Sequence, residues 1–129
     1  MQNKEAKYPS GLISTLQEKA STIREIEENA QKILKNKGDV QEYKETLTQK
    51  AQLLTGLPQA VEPFFEDLPR DIQTEARIRL EEFAGNAQQA LEVNSPFFMS
   101  MLLYPEDYRQ GENNDLEEFI QYLISNGNH

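Results

Sequence analysis

The sequence predicts an all-α protein, a helical bundle built on a long antiparallel helical hairpin. Apolar residues recur by threes and fours through three long stretches. Gly and Pro fall mostly between those stretches rather than inside them. No segment alternates apolar and polar residues with β-branched enrichment, so no sheet is expected.

In the first stretch the apolar positions are Leu12, Leu16, Ile23, Ile26, Ala30 and Ile33, with Lys19 in the one missing place. Neither Pro nor Gly interrupts it between Gly11 and Gly38, so the spacing predicts a helix over about 11–37, ~37 Å long at the usual rise. Lys35 and Lys37 suit its negative end, and Gly38 the left-handed position beyond it. Asp39, with Glu42 three residues on, has the form of a capping box and opens a second helix over about 39–56. Its stripe is Val40, Tyr43, Leu47, Ala51 or Lys50, Leu54 and Leu57. So short a turn forces the two helices back antiparallel, with Val40 near Ile33 and Leu47 near Ile26.

The segment "TGLPQAVEPFFEDLPRD" contains Gly56, Pro58, Pro63 and Pro69, which leaves room for one short helix. A third long helix is expected over about 70–93, with Ile72, Ala76, Leu80, Phe83, Ala87, Ala90 and Leu91 on one face. Gly85 inside it predicts a close helix crossing, since glycine there costs about 1 kcal/mol relative to alanine. Ser95 as N-cap and Pro96 at the first position start a short helix over about 96–104, ended by Tyr104-Pro105. Asp115 is expected to cap a last helix over about 115–125, with Leu116, Phe119, Ile120, Leu123 and Ile124 inward. These elements read as one domain over 1–129, with tails at 1–10 and 126–129.

The chain has 129 residues, no Cys and a formal charge of −9. The absence of Cys excludes thiolate metal sites and thiol nucleophiles, and fits a reducing compartment. No stretch has the ~18 apolar residues that a membrane-spanning helix needs, and the N-terminus lacks a signal-like apolar core. A cytoplasmic protein is expected. Residues 1–38 carry seven Lys/Arg against five Asp/Glu, whereas residues 95–129 carry one against six. Nucleic-acid binding calls for a concentrated basic face. Only the first third has the lysines for one, and they alternate with Glu18, Glu25, Glu27 and Glu28.

Catalytic and metal motifs are missing. The only His is His129, so neither the Glu-x-x-His di-metal arrangement nor a Ser-His-Asp triad is available. Residues 106–117 place Gly111 and Glu117 as a calcium loop would, but Glu106, Tyr108 and Gln110 occupy the other ligand places. Adjacent carboxylates such as Glu81 and Glu82 diverge by about 100° on a helix and do not form a dyad. Arg70, Arg77 and Arg79 have acidic neighbours in helical register. No cofactor is implied, and the chain reads as a non-enzyme.

Two lysines, Lys19 and Lys50, fall at or beside the apolar seam. Their stems are expected to lie over apolar surface with the ammonium groups reaching water, or to specify register or partner.

What remains is the apolar run "SPFFMSMLLYP" and its echo "EPFF". A two-turn helix cannot bury apolar groups that point in nearly every direction on one face. Phe64, Phe65, Phe97, Phe98, Met99, Met101, Leu102 and Tyr104 are therefore the candidate partner or pocket surface. Enclosure would make the run a plug for the open end of the hairpin, packed with Phe64, Phe65 and Phe119. The expected function is a small acidic interaction module (adaptor, chaperone-like holder or regulatory subunit) with a protein partner or a second copy, and with neither nucleic acid nor membrane. One alternative is a bundle holding a small apolar ligand between the aromatic runs. A more distant one is an acidic mimic of nucleic acid.

Overall fold

The computed structural model describes residues 10–126, and every regular element among them is helical. α1 is Ser10–Lys37, α2 Val40–Thr55, α3 Leu57–Val61, a 3-10 helix η1 Glu62–Asp67, α4 Arg70–Val93, α5 Pro96–Met101 and α6 Asp115–Asn126. The expected all-α bundle on an antiparallel hairpin is what the chain forms. The expected tails fall outside the described residues except for Ser10 and Asn126, which belong to α1 and α6.

α1 ends where Gly38 takes φ +63° and donates its N–H to the Leu34 carbonyl at 3.0 Å. Asp39 then accepts the Glu42 N–H at 3.0 Å. The capping box is half-formed: the Glu42 carboxylate takes Lys37 Nζ at 3.1 Å across the turn. α1 lies against α2, α2 against α4, α4 against α6 and α6 against α1, a closed ring of four helices. The core inside it comes from the expected stripes, among them Leu12, Leu16, Ile23, Leu47, Leu54, Ile72, Leu80, Phe119 and Leu123. Phe83 on α4 meets Phe119 on α6 edge to face, 5.8 Å between centroids.

Several expectations need correction. Val40 is exposed rather than in the seam, because α2 starts there, at the mouth of the turn, beyond the overlap of the two helices. Gly85 marks no crossing: it faces solvent, and a Cβ built on it meets nothing within 4 Å. The segment after α2 holds two short helices, α3 and η1, rather than one. The N-cap of α6 is Asn114, not Asp115: Asn114 Oδ1 accepts the Glu117 N–H at 2.9 Å while Glu117 Oε1 accepts the Asn114 N–H at 2.8 Å. That is a reciprocal capping box one residue upstream of the expected cap.

α3 and η1, not α5, close the open end of the hairpin. Phe64 lies over the first turn of α1, where Gly11 makes room: a Cβ there would sit 2.5 Å from the Phe64 ring. α5 packs instead beside the middle of α2 and against α4.

Candidate functional site

α5 is set by its ends. Asn94 ends α4 in the left-handed conformation at φ 55°, and the Ser95 hydroxyl oxygen accepts the Phe98 N–H at 3.1 Å. Pro96 fills the first helical position, where no N–H is needed. The run is shorter than expected and ends at Met101, since Leu103 turns the chain at φ 79°. A left-handed leucine is costly, about 1–2 kcal/mol. It is compensated by the buried Leu103 side chain and by its carbonyl, which accepts the Asp115 N–H at 2.9 Å and ties α5 to the start of α6.

The short helix splits its apolar residues between two faces. Met99 is fully buried, with its sulfur 3.6 Å from Thr48 Oγ1 on α2. Phe97 and Phe98 are 65% and 53% exposed, with ring centroids 5.7 Å apart, and Met101 is 41% exposed. Val93, at the end of α4, is 58% exposed. Phe98, Met101 and Val93 line one cleft of about 630 Å³ between α4 and α5, whose floor includes Phe83, Leu102 and Tyr104.

The cleft has two ends. Near the α4–α5 junction its walls are Ala90, Val93, Phe98 and Met101. At the other end lie Arg79, Glu82 and Asp115. The Arg79 guanidinium stands 5.8 Å over the Phe83 ring and 5.4 Å over that of Phe119. Burial raises the Asp115 carboxyl above the usual range; Arg79 opposes this, while Asp107 and Glu118 repel its charge and add to it.

Behind the cleft lies a buried polar brace. Lys50, on the α2 seam, has no exposed surface, so its ammonium does not reach water as expected. It stands 2.9 Å from Glu27 Oε2 on α1 and 3.3 Å from the Ser100 carbonyl on α5, with the Tyr104 ring 5.1 Å away. The Tyr104 hydroxyl donates to Glu27 Oε1 at 2.5 Å. Burial lowers the Lys50 pKa despite Glu27, and burial followed by the Glu27 hydrogen bond raises that of Tyr104. Lys50 thus joins α1, α2 and α5 through one buried ammonium.

Beside it, Arg24 grips Glu117 with two hydrogen bonds, Nε to Oε2 at 2.9 Å and Nη2 to Oε1 at 2.7 Å, and reaches the Glu112 carbonyl at 3.1 Å. This fork ties α1 to α6 and to the loop before it. The Arg24 hydrogen bonds hold the Glu117 carboxyl below its usual range, against some desolvation. Glu117, the strongest calcium-loop position in the sequence, is thus occupied by a cation from α1.

The candidate surface residues separate accordingly. Phe97, Phe98 and Met101 are exposed, and Leu102 and Tyr104 are half-buried in the cleft. Met99 and Phe65 are core and offer no surface, because α5 turns Met99 onto α2 and η1 turns Phe65 inward, with Arg77 4.1 Å over its ring. Phe64 is half-buried against α1, so the two Phe-Phe pairs do not share a pocket. Sequence reasoning missed Arg79 and Asp115 as cleft residues and Glu27 as the partner of Lys50. The available signal was a seam lysine opposite a helix carrying Glu27 beside the apolar stripe.

No family model matches this chain, and no curated protein or solved structure matches it significantly. Among the described residues no helix is long and apolar enough to cross a membrane.

Proposed function

We propose that the protein is a small, acidic, non-enzymatic interaction module of the cytoplasm, an adaptor or regulatory subunit that docks a protein partner on the α4–α5 face. The observation that carries this reading is the set of exposed Phe98, Met101 and Val93 lining one cleft, with the exposed Phe97 ring 5.7 Å from that of Phe98. Single exposed apolar residues are ordinary, but a contiguous group lining a concavity is the usual form of a docking site. The side chains that carry charge beneath the cleft are engaged with one another, and Lys50 is closed to solvent. That suits a scaffold better than a reacting centre.

The test compares the wild type with Phe97→Ser/Phe98→Ser in affinity purification, with circular dichroism to verify the fold. Specific loss of a retained protein from the folded variant supports docking; identical retention contradicts it.

A second reading, a small apolar ligand in the cleft, is favoured by the cleft volume, which lies within the range of small-molecule sites. Native mass spectrometry of protein purified from the source cell separates the two: a stoichiometric small adduct favours the ligand, and its absence favours the protein partner.

A further inference from the structure

We infer that the occupant of the α4–α5 cleft is a short amphipathic helix of another protein, apolar at one end and bearing Lys or Arg at the other. The inference rests on the docking reading above and adds the chemistry of the partner.

The cleft follows α4 from Arg79 to Val93, roughly 21 Å at the usual rise, the length of about four helical turns. Its walls are α4, α5 and the turn at Leu102–Tyr104, with no strand among the described residues, so it offers no strand edge to an extended peptide. The recognition mode open to it is helix-in-groove, read by side chains three and four apart. At the end nearest the α4–α5 junction, Ala90, Val93, Phe98 and Met101 present apolar surface, and the unbranched Met101 side chain adapts to varied shapes.

The other end is acidic. Glu82 and Asp115 line it; Arg79 attracts the Asp115 charge, while Asp107 and Glu118 repel it. Arg79 is the cation present, and its guanidinium is turned over Phe83 and Phe119 rather than paired with these carboxylates. With two carboxylates, Glu82 and Asp115, lining this end against the one Arg79 guanidinium, an anionic partner brought here would add to the repulsion. A cationic side chain would relieve that repulsion and be steered in by the chain's net charge of −9.

The test uses three synthetic helices of about 14 residues with the same leucine face at one end and with Lys, Gln or Glu continuing that face at the other, titrated by fluorescence anisotropy at low and high salt. The inference expects the Leu/Lys helix to bind at least about tenfold tighter than the Leu/Glu helix at low salt, with the gap closing at high salt. Glu82→Gln/Asp107→Asn/Glu118→Gln, all at exposed positions and with the fold verified by circular dichroism, should remove most of the Leu/Lys advantage and leave Leu/Gln binding unchanged. Adding Asp115→Asn should remove the rest.

A Leu/Lys advantage that survives these substitutions would overturn the inference, since it would come from overall charge and not from this cleft. Equal binding of all three helices would also overturn it. Phe98→Asp/Met101→Asp separates the two levels. If it abolishes binding while the charge ranking is absent, only the inference fails; if it leaves all three helices bound, the docking reading fails with it.

Discussion

The Lys50 ammonium on α2 and the Glu27 carboxylate on α1 stand 2.9 Å apart, and no part of Lys50 is exposed. A buried charge left without its partner is expensive, whereas a buried pair replaced whole by apolar groups is often neutral. Glu27→Ala should therefore cost about 3–5 kcal/mol of unfolding free energy in urea titration. Lys50→Met combined with Glu27→Leu should recover most of that loss. A Glu27→Ala change of less than ~1 kcal/mol would mean that Lys50 reaches water in solution.

Acid should expose the Arg24–Glu117 tie. The folded value of Glu117 lies below the ordinary 4.5, so the unfolded chain takes up the proton first. This contribution is fully present above about pH 4.5 and is lost as pH falls through the folded value. In Glu117→Gln it is absent throughout. The stability difference between wild type and variant should shrink steadily on acidification, measured by denaturant titration at each pH. Asp115, shifted the other way, is common to both proteins and cancels in the difference.

Two glycines should respond oppositely to alanine. Gly85→Ala, in an exposed helix interior with open space around it, should stabilise by about 0.5–1 kcal/mol. Gly38→Ala, at φ +63°, should destabilise by about 1 kcal/mol. Thermal melts of both variants decide this.

The two faces of α5 make a further contrast. Met99→Ala should cost about 2–5 kcal/mol, because it empties a buried site. Phe98→Ser, at an exposed position, should change stability by less than about 0.5 kcal/mol and reduce binding of an apolar dye. Equal destabilisation by both would place Phe98 in the core.

The helical stripes were legible because burial repeats with the helix. Ile72, Ala76, Leu80, Phe83, Ala87 and Ala90 are all buried on α4 as the spacing predicts. The charged ties were not, because they join residues far apart in the chain, such as Arg24 with Glu117. Periodicity marks Lys50 as a seam lysine but does not say where its ammonium goes, since the reach of a Glu27 side chain from the opposite helix is not encoded in it. The split of "PFFMSM" into an outer and an inner face was likewise hidden. Two turns of apolar residues give no moment to read, and it is packing against the neighbouring helices, with Thr48 of α2 beside its sulfur, that turns Met99 inward.

The central claim is tested most directly by placing a photo-reactive benzoylphenylalanine at position 98, and separately at exposed Gln31 on α1, in the cells that make the protein. A discrete protein adduct from position 98, lost when Met101→Asp is added and absent from position 31, is the result the account predicts. No adduct at 98, or the same adducts from both positions, would contradict it.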